Sequence, residues 1–267
     1  MSETALDTYA GELKAWRDHL DLTQQAFADK AGYSLALVQA VEQCKRSPTA
    51  AFAKQCDKVT GAPGTFKRWQ LQVARESYPA FFAPVVAFER DAVRIHGWEL
   101  GAVPGLLQTE DYARALIKIT RPQDSGDEVE RLVSARVERQ DILSREHPPL
   151  LWYVFDESAL RRIVGGLPVM RDQLDRLITA ASVPGTVIQV LPFATGEGIG
   201  ADGPISVYEF SDAPTVVYTE CNRGGRVIED HAEVAEMMTK VNMIRVSSLS
   251  PRASAELICK IRSEIDG

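Results

Sequence analysis

Three glycines match the spacing of a nucleotide-binding loop. Gly198, Gly200 and Gly203 fit the pattern G-x-G-x-x-G, and they follow an apolar run that predicts a strand. Dinucleotide binding requires a helix after these glycines, because the N–H groups of the first helical turn hold the phosphates. The next residues, Pro204 to Tyr208, instead predict another strand. We therefore interpret the glycines as part of a loop.

Two adjacent carboxylates, Asp156 and Glu157, stand where a predicted strand passes into a helix. Carboxylates in such a position can act as general acids or bases, but the same position favours them for capping and for the helix dipole. The sequence contains no G-x-x-x-x-G-K-[ST] phosphate loop, no G-x-S-x-G nucleophile turn and no H-E-x-x-H metal pair. We expect no enzymatic activity and no cofactor.

The potential metal ligands are dispersed along the chain. The four cysteines lie far apart without a C-x-x-C pair, and the four histidines are isolated in sequence. Structural zinc requires four convergent ligands at short spacings, so we expect no metal site and reduced thiols.

The charge of the chain is divided unevenly. The net charge is −7, but residues 1–78 contain ten basic and nine acidic residues and are at +1, which leaves −8 for the remainder. If one part of the chain contacts DNA, it is therefore the N-terminal part. The acidic start is followed by no apolar segment that could target or span a membrane, so we expect a cytoplasmic protein without membrane contact.

Helical periodicity and capping residues organise the first seventy residues. Apolar residues recur at helical spacing from Leu6 to Leu20. Thr23 is suited to be the N-cap of a helix over 24–31, and Gly32 is suited to end it in the left-handed conformation. Ser34 then predicts the start of another helix. Two short helices joined by so tight a turn are typical of a helix-turn-helix.

The string Leu22-Thr-Gln-Gln-Ala-Phe-Ala-Asp-Lys-Ala-Gly-Tyr-Ser34, with the following helix and Lys45-Arg46-x-Pro48, resembles an XRE-type (Cro/C1-type) DNA-binding domain. The resemblance covers roughly residues 6–60. It implies that the segment from Ser34 to Gln43 is the recognition helix, which inserts into the major groove of double-stranded DNA.

The resemblance also implies a set of DNA-contacting residues. Ser34, Gln43, Lys45 and Arg46 match positions that hold phosphates, and Gln24 matches a position that braces against the backbone and a terminal base. The base-reading positions fall on Leu35, Ala36 and Ala40, which can only contact a thymine methyl group, with Gln39 as the main long amide. The complete expected set is Gln24, Gln25, Ser34, Leu35, Ala36, Gln39, Ala40, Gln43, Lys45 and Arg46.

The rest of the chain predicts a larger α/β domain. Two prolines interrupt the helical periodicity within 77–90, so we predict domains at 1–77 and 85–267. After the boundary, helices alternate with strands over 150–155, 186–191, 205–210 and 215–219, and two long helices end the chain. The predicted fold class is thus an all-helical helix-turn-helix domain followed by an α/β sandwich with C-terminal helices.

Several ordered segments of this larger domain resemble the actinobacterial WhiJ-like, Scr1-type family of antitoxin-like transcriptional regulators. They are Val103-Pro-Gly-Leu-Leu-Gln-Thr109, Asp156-Glu-Ser-Ala-Leu-Arg-Arg162, Ile188-Gln-Val-Leu-Pro192 and Val217-Tyr-Thr-Glu220. The resemblance implies a regulator that is often encoded beside a small partner protein, and it implies no particular ligand.

We therefore expect a sequence-specific DNA-binding regulator, a homodimeric repressor whose C-terminal domain senses a partner protein or a ligand. Arg223 and Arg226, beside the glycine loop, are candidates for the rim of that ligand or partner groove. The alternative is an antitoxin-like interaction module, in which the apolar face of Leu35, Ala36 and Ala40 docks a protein and little specific DNA binding remains.

Overall fold

The computed structural model describes residues 4–76, 78, 81–195, 200–221 and 224–265, and the chain divides into two compact units. Unit 1 comprises Met1–Ala83 and Ile117–Glu138, and unit 2 comprises Pro84–Leu116 and Arg139–Gly267. Residues 117–138 thus belong with the N-terminal helices. The sequence pattern gave no sign of this return of the chain. The domains 1–77 and 85–267 stay a prediction about independently folding parts.

The secondary structure is as follows. The described residues form twelve α-helices: α1 (Ala5–His19), α2 (Gln24–Ala31), α3 (Leu35–Glu42), α4 (Ala50–Thr60), α5 (Thr65–Glu76), α6 (Ala83–Asp91), α7 (Glu110–Thr120), α8 (Gly126–Glu138), α9 (Glu157–Arg161), α10 (Leu167–Ala181), α11 (His231–Ser247) and α12 (Pro251–Glu264). The strands are β1 (Arg94–Glu99), β2 (Leu150–Asp156), β3 (Thr186–Leu191), β4 (Ile205–Glu209), β5 (Val216–Cys221) and β6 (Gly224–Ile228). None of the described helices is long and apolar enough to cross a membrane.

Three hydroxyl side chains cap helices in unit 1, and the predicted caps Thr23 and Ser34 are confirmed. The hydroxyl oxygens of Thr23, Ser34 and Thr49 each accept a hydrogen bond from the N–H three residues later, at 3.1, 3.3 and 3.0 Å. Gly32 ends α2 with a φ of 75°, a conformation that glycine adopts without the strain that a Cβ would cause. These local interactions set where the helices begin and turn, and the core then fixes how they pack.

The core of unit 1 consists of aromatic and aliphatic side chains from α1 to α5. Its largest fully buried members are Tyr9, Leu13, Phe27, Phe52 and Phe66. Cys56 is buried among them, and burial raises the pKa of its thiol to about 12. That thiol is therefore held in its neutral form.

Helices α7 and α8 form a helical hairpin, and its residues from Ile117 to Glu138 belong to unit 1. Ile117 on α7 and Val129, Leu132 and Val133 on α8 bury one another in a small apolar cluster. The hydroxyl of Tyr78 donates to the carbonyl of Ala135 at 2.7 Å. Apolar residues recur at helical spacing over 128–145 and predict one continuous helix, but the α-helix ends at Glu138 and a 3-10 helix follows over Arg139–Ser144.

Unit 2 is built on one mixed sheet. Its described strands pair in the order β3-β2-β1-β4-β5-β6, parallel among β1, β2 and β3 and antiparallel from β1 through β4, β5 and β6. A mixed α/β fold is confirmed. The sequence of residues 88–95 also predicts extended chain, and this prediction is wrong in its first half. Residues up to Asp91 are helical in α6, and only β1 is extended.

Helix α11 covers one face of this sheet. Val234, Val241 and Ile244 of α11 are buried in one cluster with Trp98, Val207 and other strand residues. At the β3 edge, the N–H of Val190 donates to the Ser254 hydroxyl and its carbonyl accepts from the N–H of Leu249, both at 2.9 Å. These bonds pair the N–H and the carbonyl of Val190, which on an unprotected edge strand would be exposed to water.

Gly97 in β1 accommodates the ring of Tyr153 from the neighbouring strand β2. The two residues are directly opposite in the register, and a Cβ built on Gly97 would lie 2.3 Å from ring carbons of Tyr153. The absence of a side chain at this position therefore leaves room for the tyrosine ring beside β1.

We predict that Gly97→Ala destabilises unit 2 by more than about 2 kcal/mol, because the buried ring of Tyr153 has to move. Gly101→Ala is the matched control, since no atom lies within 4 Å of its added Cβ. Denaturant unfolding monitored by fluorescence measures both. Equal midpoints for the two variants would contradict the close contact.

Candidate nucleic-acid interface

The turn between α2 and α3 holds the two helices in a fixed relation. The N–H of Tyr33 donates to the carbonyl of Ala28 at 3.0 Å, across the left-handed residue Gly32. Val38 and Val41 on α3 are fully buried against the core of unit 1, and Leu37 packs beside them. The opposite side of α3 is consequently the side that faces outward.

An ion pair fastens α3 to α1. The guanidinium of Arg17 contacts both carboxylate oxygens of Glu42, with Nε to Oε1 at 2.8 Å and Nη2 to Oε2 at 3.4 Å. Only 11% of the Arg17 side chain and 5% of the Glu42 side chain are exposed. The hydrogen bond to Glu42 raises the pKa of Arg17 above its usual value. Nη1 of Arg17 also donates to the carbonyl of Leu22 at 2.8 Å, so one side chain binds α1, α3 and the segment before α2.

Two predicted DNA-contacting glutamines belong to the same network. Nε2 of Gln24 donates to Oε2 of Glu42 at 2.7 Å, and Nε2 of Gln39 donates to Oε1 of Gln24 at 3.4 Å. Gln25 donates to the carboxylate of Asp29 at 2.8 Å on the surface of α2. All three amides therefore have partners within the protein, which the sequence pattern did not indicate.

The other predicted residues lie on the surface of α3 and at its two ends. Ser34 and Ala36 are exposed, as is Gln43, while Leu35 and Ala40 are half-buried. The hydroxyl oxygen of Ser34 already accepts from the N–H of Leu37, and its hydrogen remains able to donate to a phosphate.

The basic pair after α3 is held close to the last turn of that helix. Cys44 adopts a left-handed conformation with a φ of 56°. The chain then folds back, so that the N–H groups of Lys45 and Arg46 both donate to the carbonyl of Ala40, at 2.8 and 3.2 Å. Both basic side chains are exposed. Assignment of all these residues to DNA contact stays a prediction.

A carboxylate from α8 lies at the start of α4. Oε1 of Glu138 accepts from the N–H of Ala50 at 2.7 Å and from Nε2 of Gln70 at 2.9 Å. The first amides of a helix have no partners within that helix, and the positive end of the helix dipole favours an anion there. Glu138 thus joins α8 to α4 and α5 within unit 1.

The second predicted site lies at the edge of the sheet in unit 2. Arg226, on β6, lines a groove of about 350 Å³, and its guanidinium forms an ion pair with Glu233 at 2.5 Å. Arg223 lies outside the described residues, as does Gly198 of the glycine loop. The role of the two arginines stays a prediction.

The carboxylates considered for chemistry have structural partners. Asp156 caps α9 by accepting from the N–H of Ser158 at 2.9 Å. The buried carboxylate of Glu157 accepts from Nε of Arg161 at 2.6 Å and from the N–H of Phe193 at 2.9 Å. Within the part of the chain that the structure describes, no group of three or more His, Cys, Asp or Glu side chains is arranged to hold a metal ion.

Sequence patterns missed two determinants of this interface. Arg17 and Glu42 are too far apart for helical spacing to connect them, and the only available signal was a lone acid on an otherwise uncharged α3. The contact between Ala50 and Glu138 spans a still longer segment, without any local pattern that could predict it.

The geometry of α2, Gly32 and α3 defines a helix-turn-helix, and residues 8–68 match a family described as a helix-turn-helix domain. That class of domain points to a DNA-binding regulator. Residues 82–260, more than half of the chain, match a domain of unknown function (DUF5753), and the chain belongs to this family. Comparison with curated proteins and with solved structures finds no match.

We predict that Glu42→Gln loosens α3, because Arg17 then loses the buried carboxylate that connects it to α3 and keeps only the exposed carboxylate of Asp18, at 2.8 Å, as its counterion. The expected loss of stability is about 2 kcal/mol, or roughly thirtyfold faster amide exchange over 35–43. Hydrogen exchange read by mass spectrometry measures this. Asp29→Asn, on the exposed surface of α2, is the control and should leave these amides unchanged. Identical exchange in both variants would show that the ion pair does not hold α3.

We also predict that Glu138→Gln accelerates amide exchange at the start of α4 by about fivefold, corresponding to roughly 1 kcal/mol for a lost charged cap. Glu128→Gln removes the same charge from the same helix, and its carboxylate pairs instead with Arg131. If both variants exchange alike at Ala50 to Ala53, α8 does not stabilise α4 in solution.

Proposed function

We propose that this chain is a sequence-specific DNA-binding transcriptional regulator, acting as a homodimeric repressor in the cytoplasm. The observation that carries the proposal is the helix-turn-helix itself, with α3 packed on one side only and an exposed basic pair folded against its last turn. An outward α-helix of this size fits the width of the major groove.

Phosphate contacts would position the domain on DNA. Lys45 and Arg46 supply two exposed positive charges, and the Ser34 hydroxyl and the Gln43 amide can donate at the two ends of α3. Gln24 would brace the backbone from the start of α2, in the orientation that Glu42 imposes on it.

Dimerisation follows from the small size of one such module. A single recognition helix with few base contacts binds weakly, and a two-fold dimer doubles the contacts on a palindromic site. We propose half-sites about 34 Å apart, one turn of the double helix.

We propose that the C-terminal domain senses a partner protein or a ligand and is not an enzyme. Support for coupling comes from α8, which lies within the matched DUF5753 region and yet packs in unit 1, where Glu138 contacts the start of α4 and Gln70 on α5. A ligand that changes the position of α8 would thereby act on the helix-turn-helix. The resemblance to WhiJ-like, Scr1-type regulators suggests a small protein encoded nearby as the partner.

One observation favours the second candidate function, an antitoxin-like interaction module. Three glutamines that could contact DNA, Gln24, Gln25 and Gln39, form hydrogen bonds with other side chains of the protein. The outward residues of α3, namely Leu35, Ala36 and Ala40, are apolar. Such a face can also dock a protein helix.

The two candidates differ in the response to loss of the basic pair. We predict that Lys45→Ala with Arg46→Ala weakens binding to the protein's own promoter DNA by at least about tenfold. The slope of log K against log salt should fall by about 2, because two phosphate contacts are lost. Fluorescence anisotropy with a salt titration measures both quantities.

The control is Arg252→Ala with Lys260→Ala, which removes the same charge from the exposed surface of α12. It should leave the DNA affinity within about twofold, since long-range charge effects are screened. The regulator hypothesis would be contradicted if the protein bound promoter and scrambled DNA equally weakly and neither double substitution changed that binding. Such a result would favour the interaction module.

A further inference from the structure

The outward face of α3 offers apolar groups where many DNA-reading helices offer charge. Residues 35, 36, 39, 40 and 43 share one side of the helix, because Val38 and Val41 are buried on the other. No lysine or arginine lies on α3, so the helix lacks the side chains that most often bind guanine.

The one long amide in the middle of this face is constrained. Nε2 of Gln39 donates to Gln24, whose own amide donates to Glu42, and Arg17 holds Glu42 in place. Bidentate recognition of adenine requires the oxygen and the nitrogen of the amide together. Nε2 of Gln39 gives only one of its two hydrogens to Gln24, so the network fixes the orientation from which its oxygen and its remaining hydrogen could reach a base.

One base-edge group in the major groove is recognised by apolar contact, namely the C5 methyl group of thymine. We propose that α3 reads thymine methyl groups, with Leu35, Ala36 and Ala40 as its specificity-determining residues. This inference rests on the proposed DNA binding and names the base that the interface selects. Leu35 has the longest side chain of the three and contributes the largest contact.

Replacement of thymine by uracil in the operator tests this directly, since it removes the methyl group and leaves base pairing unchanged. The full-length protein is titrated by anisotropy against a duplex carrying its selected binding site, and then against duplexes with single uracil substitutions. We expect a three- to fivefold loss of affinity for each methyl group under α3, the effect of one buried methyl-sized group. Uracil at flanking positions should have no effect.

Leu35→Ala should abolish the penalty for uracil at the thymine that Leu35 contacts, which a general loss of affinity would not do. Leu71→Ala, an exposed leucine on α5, is the control and should retain the full penalty.

Ala36→Gln provides a second variant, which adds a side chain instead of truncating one. Ala36 is exposed, so a longer side chain fits, and glutamine at this position should change the preferred base from thymine to adenine. Selection from a pool with that base pair randomised measures the change.

The outcomes separate this inference from the function on which it rests. Specific binding that is indifferent to uracil, in wild type and in Leu35→Ala, would overturn methyl recognition and leave the regulator intact. A protein that prefers no DNA sequence at all would overturn both.

Discussion

The buried ion pair between Arg17 and Glu42 is the interaction on which the candidate interface depends. It connects α1 to α3, and Arg17 also binds the carbonyl of Leu22 just before α2. Removing two charges from water is costly, and only close geometry with further hydrogen bonds offsets that cost. Gln24 supplies such a bond, so the same carboxylate that anchors α3 also orients a residue at the start of α2. The same carboxylate therefore determines both the orientation of α3 and the hydrogen bonding of Gln24.

In the proposed complex with DNA, this arrangement would separate positioning on the duplex from reading of its sequence. Charge and hydroxyl groups lie at the ends of α3, at Ser34, Lys45 and Arg46, where they can contact phosphates without base preference. The middle of the helix carries apolar side chains and a constrained amide. The proposed binding would depend strongly on salt and on the deformability of the DNA, because few direct polar contacts to bases would contribute.

Local features were predictable because local interactions cause them. Thr23, Ser34 and Thr49 cap helices through their own hydroxyls, Gly32 provides the left-handed turn, and the apolar runs of β2 and β3 are strands. Long-range features were not predictable from such patterns. The Gly-Gly-Arg start of β6 has low strand propensity and is a strand because β5 pairs with it, and residues 117–138 return to unit 1 through contacts distant in sequence. At the candidate site, the surface positions of α3 could be predicted, but the engagement of Gln24 and Gln39 could not, because Arg17 and Glu42 determine it.

The central claim is that the helix-turn-helix recognises a DNA sequence. Selection of binding sites from a fully random duplex library by the full-length protein tests it most directly, because it assumes neither an operator nor a promoter. If the protein recognises DNA as a homodimer, selection enriches a two-fold symmetric motif whose half-sites are about ten base pairs apart. Repeated selection without any enriched motif, by a protein shown to be folded, would contradict it.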